Sequence, residues 1–208
     1  MIISNKHRFI FAAIPKTGTH SIRRALRKHM GPQDHEQVRL YAESVLPFGQ
    51  LAQVGHGHLT LQQLKPHLEA AVFKDYFKFA FVRNPFDRFI SFCSFITRQQ
   101  GAFDVNPQGV MRHFIDHPPS EKILFRTQHQ FITDQAGNLM TDAVGRVEQM
   151  QESYDIMCKK IGIQSEKLEK ANSSRRGDYR QYYTSPDLIE GVAKYYQRDL
   201  DLFHYQFE

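Results

Sequence analysis

Two short segments of this chain combine cations, hydroxyl groups and backbone features that suit phosphate groups. Residues 14–21 read Ile-Pro-Lys-Thr-Gly-Thr-His-Ser, and residues 79–91 contain Arg83 and Ser91. In each segment an apolar run predicts a buried strand that leads through a loop into a helix. The pair of segments is typical of a site for a ligand with two separate phosphate groups, because each places donors at the carboxyl end of a strand.

The first segment predicts a strand over residues 9–14 and a helix that begins at residues 19–21 and ends at Gly31. Gly18 lets backbone N–H groups approach an anion closely, and Lys16 adds a mobile full charge. Since the lysine precedes the glycine, the segment is not a Walker loop, in which a lysine follows the glycine. An ordinary strand–turn–helix connection with a surface lysine is the alternative.

The second segment predicts a strand over residues 77–82 and a helix directly after it. Arg83 ends the buried strand and therefore needs an anionic partner, and its planar fork matches a phosphate. Ser91, inside the helix, is placed to share that anion. Asp87 is expected to form only a surface salt bridge, and the same interpretation stays open for Arg88.

Several parts of the chain resemble one known family. Residues 15–21 resemble the 5′-phosphosulfate loop of sulfotransferases that use 3′-phosphoadenosine-5′-phosphosulfate (PAPS), and residues 83–91 resemble that family's 3′-phosphate site. Residues 56–58, His-Gly-His, resemble the histidine segment of uronic-acid 2-O-sulfotransferases. With weaker likenesses farther along, the resemblance runs from about residue 8 to 207 and is to the carbohydrate sulfotransferases and their small bacterial relatives.

The resemblance implies a role for each matched residue. Lys16 would neutralise the charge that grows on the leaving 5′-phosphate, and His58 would be the general base for the acceptor hydroxyl. His56 would orient the substrate or share that role. The implied donor-binding residues are Lys16, Thr17, Gly18, Thr19, His20, Ser21, Arg83, Ser91, Arg175 and Arg176.

The histidines of these segments also allow other interpretations. Family members often carry a hydroxyl residue where His20 stands, which leaves its contact open, because the charge of a histidine varies near neutral pH. The chain has 11 histidines, so the pair His56 and His58 also fits a plain loop. A metal site of His56, His58 and His67 is disfavoured, since no Glu or Cys lies beside them at zinc-ligand spacing, and no metal is expected.

The length of 208 residues and the alternation of strand and helix patterns predict one α/β domain over residues 1–208. The resemblance implies a P-loop-like three-layer sandwich with a mostly parallel central sheet and helices on both faces. A helix is predicted over residues 148–161 and a last helix from Pro186. A capping box formed by Thr60 and Gln63 predicts a further helix.

Composition limits the compartment and the partners. Cys93 and Cys158 fall on predicted helix stripes and are expected to be reduced core thiols, which favours a reducing compartment. No run reaches the roughly 18 apolar residues of a membrane span. Because related animal enzymes are lumenal membrane proteins, the resemblance implies either a cytoplasmic member of the bacterial type or a trimmed catalytic domain. The net charge of +5 favours anionic ligands. One basic cluster is expected on a solvated helix face: Arg23, Arg24, Arg27 and Lys28.

The favoured function is transfer of the sulfuryl group from PAPS to a hydroxyl of an acceptor, with carbohydrate as the favoured class and residues 99–130 as a candidate acceptor lid. One alternative is a nucleotide-dependent kinase or other phosphotransferase with an atypical phosphate loop, which would need Mg²⁺. Another is a basic nucleic-acid-binding module with strongly salt-dependent binding. No binding motif supports the latter, so no nucleic-acid partner is expected. The sequence is silent on oligomeric state.

Overall fold

The computed structural model describes residues 1–38, 46–169 and 177–207. Their strands are β1 Ile2–Ser4, β2 Phe9–Ala12, β3 His35–Glu36, β4 Phe77–Val82 and β5 Ala143–Arg146. They form a sheet in the order β3–β1–β2–β4–β5. The strands β2, β4 and β5 pair in parallel, whereas β1 is antiparallel to both of its neighbours. Four strands therefore run in one direction and one runs against them, so the predicted mostly parallel α/β fold is confirmed.

The α-helices of the described residues are α1 Thr19–Arg27, α2 Gly49–Ala52, α3 Leu61–Leu64, α4 Ala70–Asp75, α5 Pro85–Ile96, α6 Ala102–Val105, α7 Pro107–Asp116, α8 Met150–Ile161 and α9 Pro186–Phe203. The chain divides into two compact units. The first comprises Met1–Val82 and Gln128–Asn172 and holds the sheet with α1–α4 and α8. The second comprises Arg83–Thr127 and Ser173–Glu208 and holds α5, α6, α7 and α9.

The core of the first unit is built from phenyl rings of the sheet and from apolar residues of α1 and α8. Alternate residues of β2 and β4 share one face, where the ring centroids of Phe11 and Phe79 lie 5.3 Å apart. Ile22 of α1 and Tyr154 of α8 belong to the same buried cluster. Burial of each such side chain contributes about 1.5–3 kcal/mol, so phenylalanine supplies the bulk of a core that has no tryptophan.

In the second unit, Arg88 is buried, which resolves the alternative that the sequence left open for it. Its Nη2 donates to the carbonyl oxygens of Leu124 at 3.3 Å and Arg126 at 2.8 Å. Its guanidinium carbon also lies 5.9 Å from the ring centroid of Tyr196. Arg88 therefore ties the chain after α7 to α5, and it is not a surface salt bridge.

Most predicted elements are confirmed, with shifted ends. The bounds of β4 and the start of α9 are as predicted, while β2 ends two residues early, ahead of Pro15. The helix α1 ends at Arg27, and i→i+3 backbone bonds continue the turn as far as Met30. The short strands β1 and β3 were not predicted, because three or two residues carry no readable periodicity.

Both cysteines, Cys93 and Cys158, are free and buried, as predicted. None of the helices in the described parts of the chain combines the length and the apolar character that a membrane crossing requires.

Candidate active site

The loop between β2 and α1 holds two residues in the left-handed backbone region. Lys16 has a φ of 67° and Gly18 a φ of 70°. Glycine adopts this conformation freely, whereas a residue with a Cβ loses about 1–2 kcal/mol there. Between them Thr17 is buried, and its hydroxyl donates to the carbonyl of Ile14 at 2.9 Å. Such a conformation persists where surrounding contacts fix it, as in ligand-binding loops.

Gly18 is also the residue from which α1 begins. Its carbonyl accepts a hydrogen bond from the N–H of Ser21 at 3.1 Å. A Cβ at Gly18 would lie 2.1 Å from the terminal carbon of Met150, so the position combines a positive φ with a close neighbour. Thr19 and Ser21 are buried in the first turn of α1. The first amides of a helix have no partner within it and present a partial positive charge, which suits an anion.

Positive charge surrounds His20 in the same turn. Desolvation of the ring lowers the pKa of His20, and the neighbouring charges of Arg23, Lys16, Arg27 and Arg24 lower it further. At neutral pH the ring is therefore neutral and can donate one hydrogen bond. The same positive field that disfavours an imidazolium favours a bound anion.

The structure brings His58 to the start of this loop. Nδ1 of His58 lies 2.7 Å from the carbonyl oxygen of Ala13, three residues before Lys16. A carbonyl oxygen only accepts, so Nδ1 carries the proton and Nε2 is left as the acceptor of the neutral ring. Desolvation lowers the pKa of His58 to about 3, and the bond to Ala13 offsets only part of that effect. A neutral imidazole with a fixed tautomer is the form that a general base needs.

His56 lies beside His58. The backbone N–H of His58 donates to Nδ1 of His56 at 3.3 Å, and the two ring centroids lie 6.2 Å apart. The structure therefore brings together the two histidines that the sequence singled out, and it gives them different partners. The first unit thus holds the loop of residues 16–21 and both histidines.

The prediction that Arg23 lies on a solvated helix face is wrong. The residue is 3% exposed, and its Nη2 donates to the carbonyl oxygens of Gly57 at 2.9 Å and Gln37 at 3.1 Å. Arg23 follows Thr19 by four residues and precedes Leu26 by three, so the helical spacing places it at the edge of the buried face of α1. The prediction rested on its charge rather than on this spacing. The other members of the cluster are exposed and form ion pairs, as expected: Arg24 with Glu169, Arg27 with Glu36, and Lys28 with Glu166.

In the second unit, Arg83 pairs with Asp87. Nε of Arg83 donates to Oδ2 of Asp87 at 2.6 Å, and the two side chains are 18% and 23% exposed. The pair is thus largely buried, which corrects the expectation of a surface salt bridge for Asp87. Ser91 is buried and follows Asp87 by four residues on the same face of α5. A carboxylate on a guanidinium fixes its orientation, so Asp87 presents Arg83 in a defined pose.

Three further predicted residues are Arg175, Arg176 and His67. Arg175 and Arg176 lie outside the described residues. The ring of His67 lies beside Phe48, with ring centroids 5.5 Å apart. Across residues 1–38, 46–169 and 177–207, no group of three or more His, Cys, Asp or Glu could hold a metal ion.

A mostly parallel sheet with a cationic loop at a helix N-terminus is typical of proteins that bind phosphorylated ligands. The sequence model described as the Sulfotransferase family matches residues 1–206, nearly the whole chain. The chain belongs to that family, which confirms the resemblance and makes the protein a transferase that acts by sulfuryl transfer. No curated protein and no solved structure matched the chain.

Proposed function

We propose that this protein transfers the sulfuryl group of PAPS to a hydroxyl group of an acceptor, and that the acceptor is a carbohydrate. Membership of the family supports the reaction class. The observation that carries the proposal is the hydrogen bond of 2.7 Å between Nδ1 of His58 and the carbonyl oxygen of Ala13. It holds the ring of His58 at Ala13, three residues before Lys16, and leaves Nε2 unprotonated.

The residues present fit a donor with two phosphate-bearing ends. We assign the 5′-phosphosulfate to the backbone amides and side chains of residues 16–21, since the loop geometry and the positive field at His20 both favour an anion. We assign the 3′-phosphate to Arg83 and Ser91, with Arg175 and Arg176 as further contributors. Because the Thr17 hydroxyl donates within the loop, its contact to phosphate would come from its backbone N–H. The P-loop-like three-layer arrangement of the family is part of the same proposal.

The donor supplies the sulfuryl group, and the chain's residues handle the charge and the proton. The acceptor oxygen attacks sulfur while the bond between sulfur and the 5′-phosphate oxygen breaks, and its electron pair stays on the phosphate. Nε2 of His58 accepts the proton of the hydroxyl, a role worth about 10²–10⁴-fold. Lys16 neutralises the charge on the departing phosphate, so that adenosine-3′,5′-bisphosphate leaves.

The low pKa of His58 fits a base that works only when the donor is bound. Alone, an imidazole with a pKa of about 3 is a weak base. The negative charges of a bound phosphosulfate would raise that pKa by favouring the imidazolium. The base would therefore gain strength in the complex, where it is needed.

Two remaining parts of the proposal concern the acceptor and the compartment. The carbohydrate class comes from the likeness of residues 56–58 to the uronic-acid enzymes, and the net charge of +5 suits an acidic sugar. The buried free thiols Cys93 and Cys158 support a reducing compartment, and we propose a cytoplasmic location.

The direct test is sulfuryl transfer from radiolabelled PAPS to a panel of uronic-acid oligosaccharides, neutral sugars and simple alcohols. We expect label in an oligosaccharide product without added Mg²⁺. Transfer from ATP that depends on Mg²⁺, with none from PAPS, would instead favour a phosphotransferase. Label found only in a non-carbohydrate alcohol would overturn the acceptor class and keep the reaction.

The donor assignment has its own test, the substitution Arg83→Ala. We expect it to weaken binding of adenosine-3′,5′-bisphosphate about 10-fold or more, with little effect on adenosine-5′-phosphate, because charge-assisted hydrogen bonds contribute about 1.5–3 kcal/mol. Isothermal titration calorimetry measures both. Arg112→Ala, which removes an exposed arginine paired with Asp187, is the matched control. Equal weakening for both nucleotides would remove Arg83 from the 3′-phosphate site.

A further inference from the structure

Arg23 connects α1 to the segment that carries His58. Its Nη2 donates to the carbonyl oxygens of Gly57 and Gln37, at 2.9 Å and 3.1 Å. This one nitrogen thereby connects two backbone segments, at Gln37 and Gly57, that lie 20 positions apart in the sequence. The residue is 3% exposed, so protein groups replace the water that would otherwise solvate its charge.

Gln37 also binds the backbone that precedes His58, at two further positions. Its Nε2 donates to the carbonyl oxygens of Leu51 at 2.7 Å and His56 at 3.0 Å. Gly57 leaves no space for a side chain, because a Cβ there would lie 1.9 Å from the carbonyl oxygen of Gln37 and 2.5 Å from Nη2 of Arg23. The backbone next to His58 is therefore held at several points, and the close approach requires glycine.

Glu36 balances the charge of Arg23. Its carboxylate lies 3.6 Å from Nε of Arg23 and also accepts a hydrogen bond of 2.9 Å from Nη2 of Arg27. Two arginines one turn apart on α1 thus share one carboxylate. Glu36 therefore provides the opposite charge close to the buried guanidinium of Arg23.

Three groups of the described residues lower the pKa of His58 by their charge: the amino group of Met1, the guanidinium of Arg23 and the ring of His56. The amino group of Met1 donates to the same carbonyl oxygen of Gly57, at 2.5 Å.

We propose that Arg23 is a positioning residue for His58. By holding the carbonyl groups of Gly57 and Gln37, it ties the base to the same helix whose first turn belongs to the donor loop. The role of His58 in this inference rests on the proposed function, whereas the contacts of Arg23 do not. Arg23 itself touches neither donor nor acceptor in this assignment.

The test compares Arg23→Met and Arg23→Lys with the control Lys28→Met, which removes an exposed positive charge directly after α1. Nuclear magnetic resonance titration of the imidazole protons gives the pKa of His58 in each protein. Turnover of PAPS with the best acceptor of the panel gives kcat and KM. Thermal unfolding shows whether each variant is folded.

In Arg23→Met we expect the pKa of His58 to move from about 3 towards the ordinary value of about 6.5, since the ring loses its fixed, desolvated position. We expect kcat to fall about 10- to 100-fold, with the KM for PAPS changed by less than about threefold. Lys28→Met should match the wild-type protein in the pKa of His58, in kcat and in KM. Values of pKa and kcat in Arg23→Met equal to those of Lys28→Met would overturn the inference.

Arg23→Lys separates position from charge and also covers the case in which Arg23→Met does not fold. A lysine keeps the positive charge but lacks the planar fork, so we expect a smaller rise of the His58 pKa and a partial loss of kcat. Wild-type values in Arg23→Lys would overturn the positioning role. A wild-type protein that turns over no PAPS would overturn the proposed function alone, because the titration of His58 would still decide the role of Arg23.

Discussion

At the scale of single residues, Lys16 combines a conformational cost with the chemical role that we propose for it. It is a non-glycine residue with a φ of 67°, followed two positions later by Gly18 with a similar angle. A sequence selected only for stability would favour glycine at such a position. A strained φ of this kind is typical of functional positions, and under our proposal the function of Lys16 is neutralisation of the leaving phosphate.

The first prediction compares Lys16→Gly with Lys16→Ala. Both should lose turnover by about 10²–10³-fold, because each removes the same preorganised cation. Lys16→Gly should be more stable than Lys16→Ala by about 1 kcal/mol, since only glycine adopts the left-handed conformation without cost. PAPS turnover and urea denaturation measure the two effects. Normal turnover in either variant would remove Lys16 from its catalytic role, and equal stability would argue against the strained φ.

The second prediction concerns the pH dependence of stability through His58. Its pKa is about 3 in the folded protein and about 6.5 in an unfolded chain, so the unfolded state binds more protons between these values. Above about pH 6.5 His58 is neutral in both states and leaves the free energy of unfolding unchanged. As the pH falls from about 6.5 towards 3, the free energy of unfolding decreases. The slope from this one group is at most about 1.4 kcal/mol per pH unit.

Urea denaturation between pH 4 and 7 tests this prediction with His58→Gln and the control His113→Gln, which replaces an exposed histidine. We expect a shallower decline in His58→Gln than in the wild-type protein and an unchanged decline in His113→Gln. Identical slopes in all three proteins would mean that His58 titrates normally in the folded state.

At the scale of elements, the short helix α3 shows how local chemistry places His58. The helix has only four residues and begins at Leu61, three positions after the histidine. Helices of this length do not persist on their own. A capping box defines its start: the Thr60 hydroxyl accepts from the N–H of Gln63 at 3.0 Å, and the Gln63 side chain accepts from the N–H of Thr60 at 2.9 Å. The cap therefore fixes the chain direction directly after His58.

The third prediction is that Thr60→Ala lowers the free energy of unfolding by about 1 kcal/mol, because it leaves a helix-terminal N–H without its acceptor. Gln63→Ala removes the other bond of the box and should cost less, since its amide partner precedes the helix. Thermal unfolding of both variants measures the effect. A stability of Thr60→Ala equal to that of the wild-type protein would mean that tertiary packing alone sets the start of α3.

At the scale of the whole molecule, each compact unit carries one of the two segments that the sequence singled out. The loop of residues 16–21 belongs to the first unit, and Arg83 with Ser91 belongs to the second. The Sulfotransferase family match extends over both units.

The fourth prediction follows from linkage between binding and stability. Adenosine-3′,5′-bisphosphate should raise the melting temperature, because a ligand at 100 times its Kd contributes about 2.7 kcal/mol to the folded state. Adenosine-5′-phosphate and ATP at equal concentration should raise it less. Thermal-shift titration measures the three, with Arg112→Ala as a control that keeps the full response. A larger shift with ATP and Mg²⁺ than with the bisphosphate would contradict the donor assignment.

Local signals let the sequence by itself determine much of this protein. Apolar runs predict β2 and β4, Pro15 predicts that β2 ends before it, and the Thr60 box predicts α3, since each depends on neighbours a few positions away. The likeness of contiguous residues 15–21 to a phosphosulfate loop also predicted the family, which the match over residues 1–206 confirms.

Only the tertiary structure decided what depends on distant parts of the chain. Charge alone placed Arg23 on the solvent side, yet its partners are carbonyl groups at positions 37 and 57. The tautomer of His58 depends on a carbonyl 45 positions earlier. A side chain's burial and proton state follow from the groups that folding brings beside it, and no pattern along the chain contains that information.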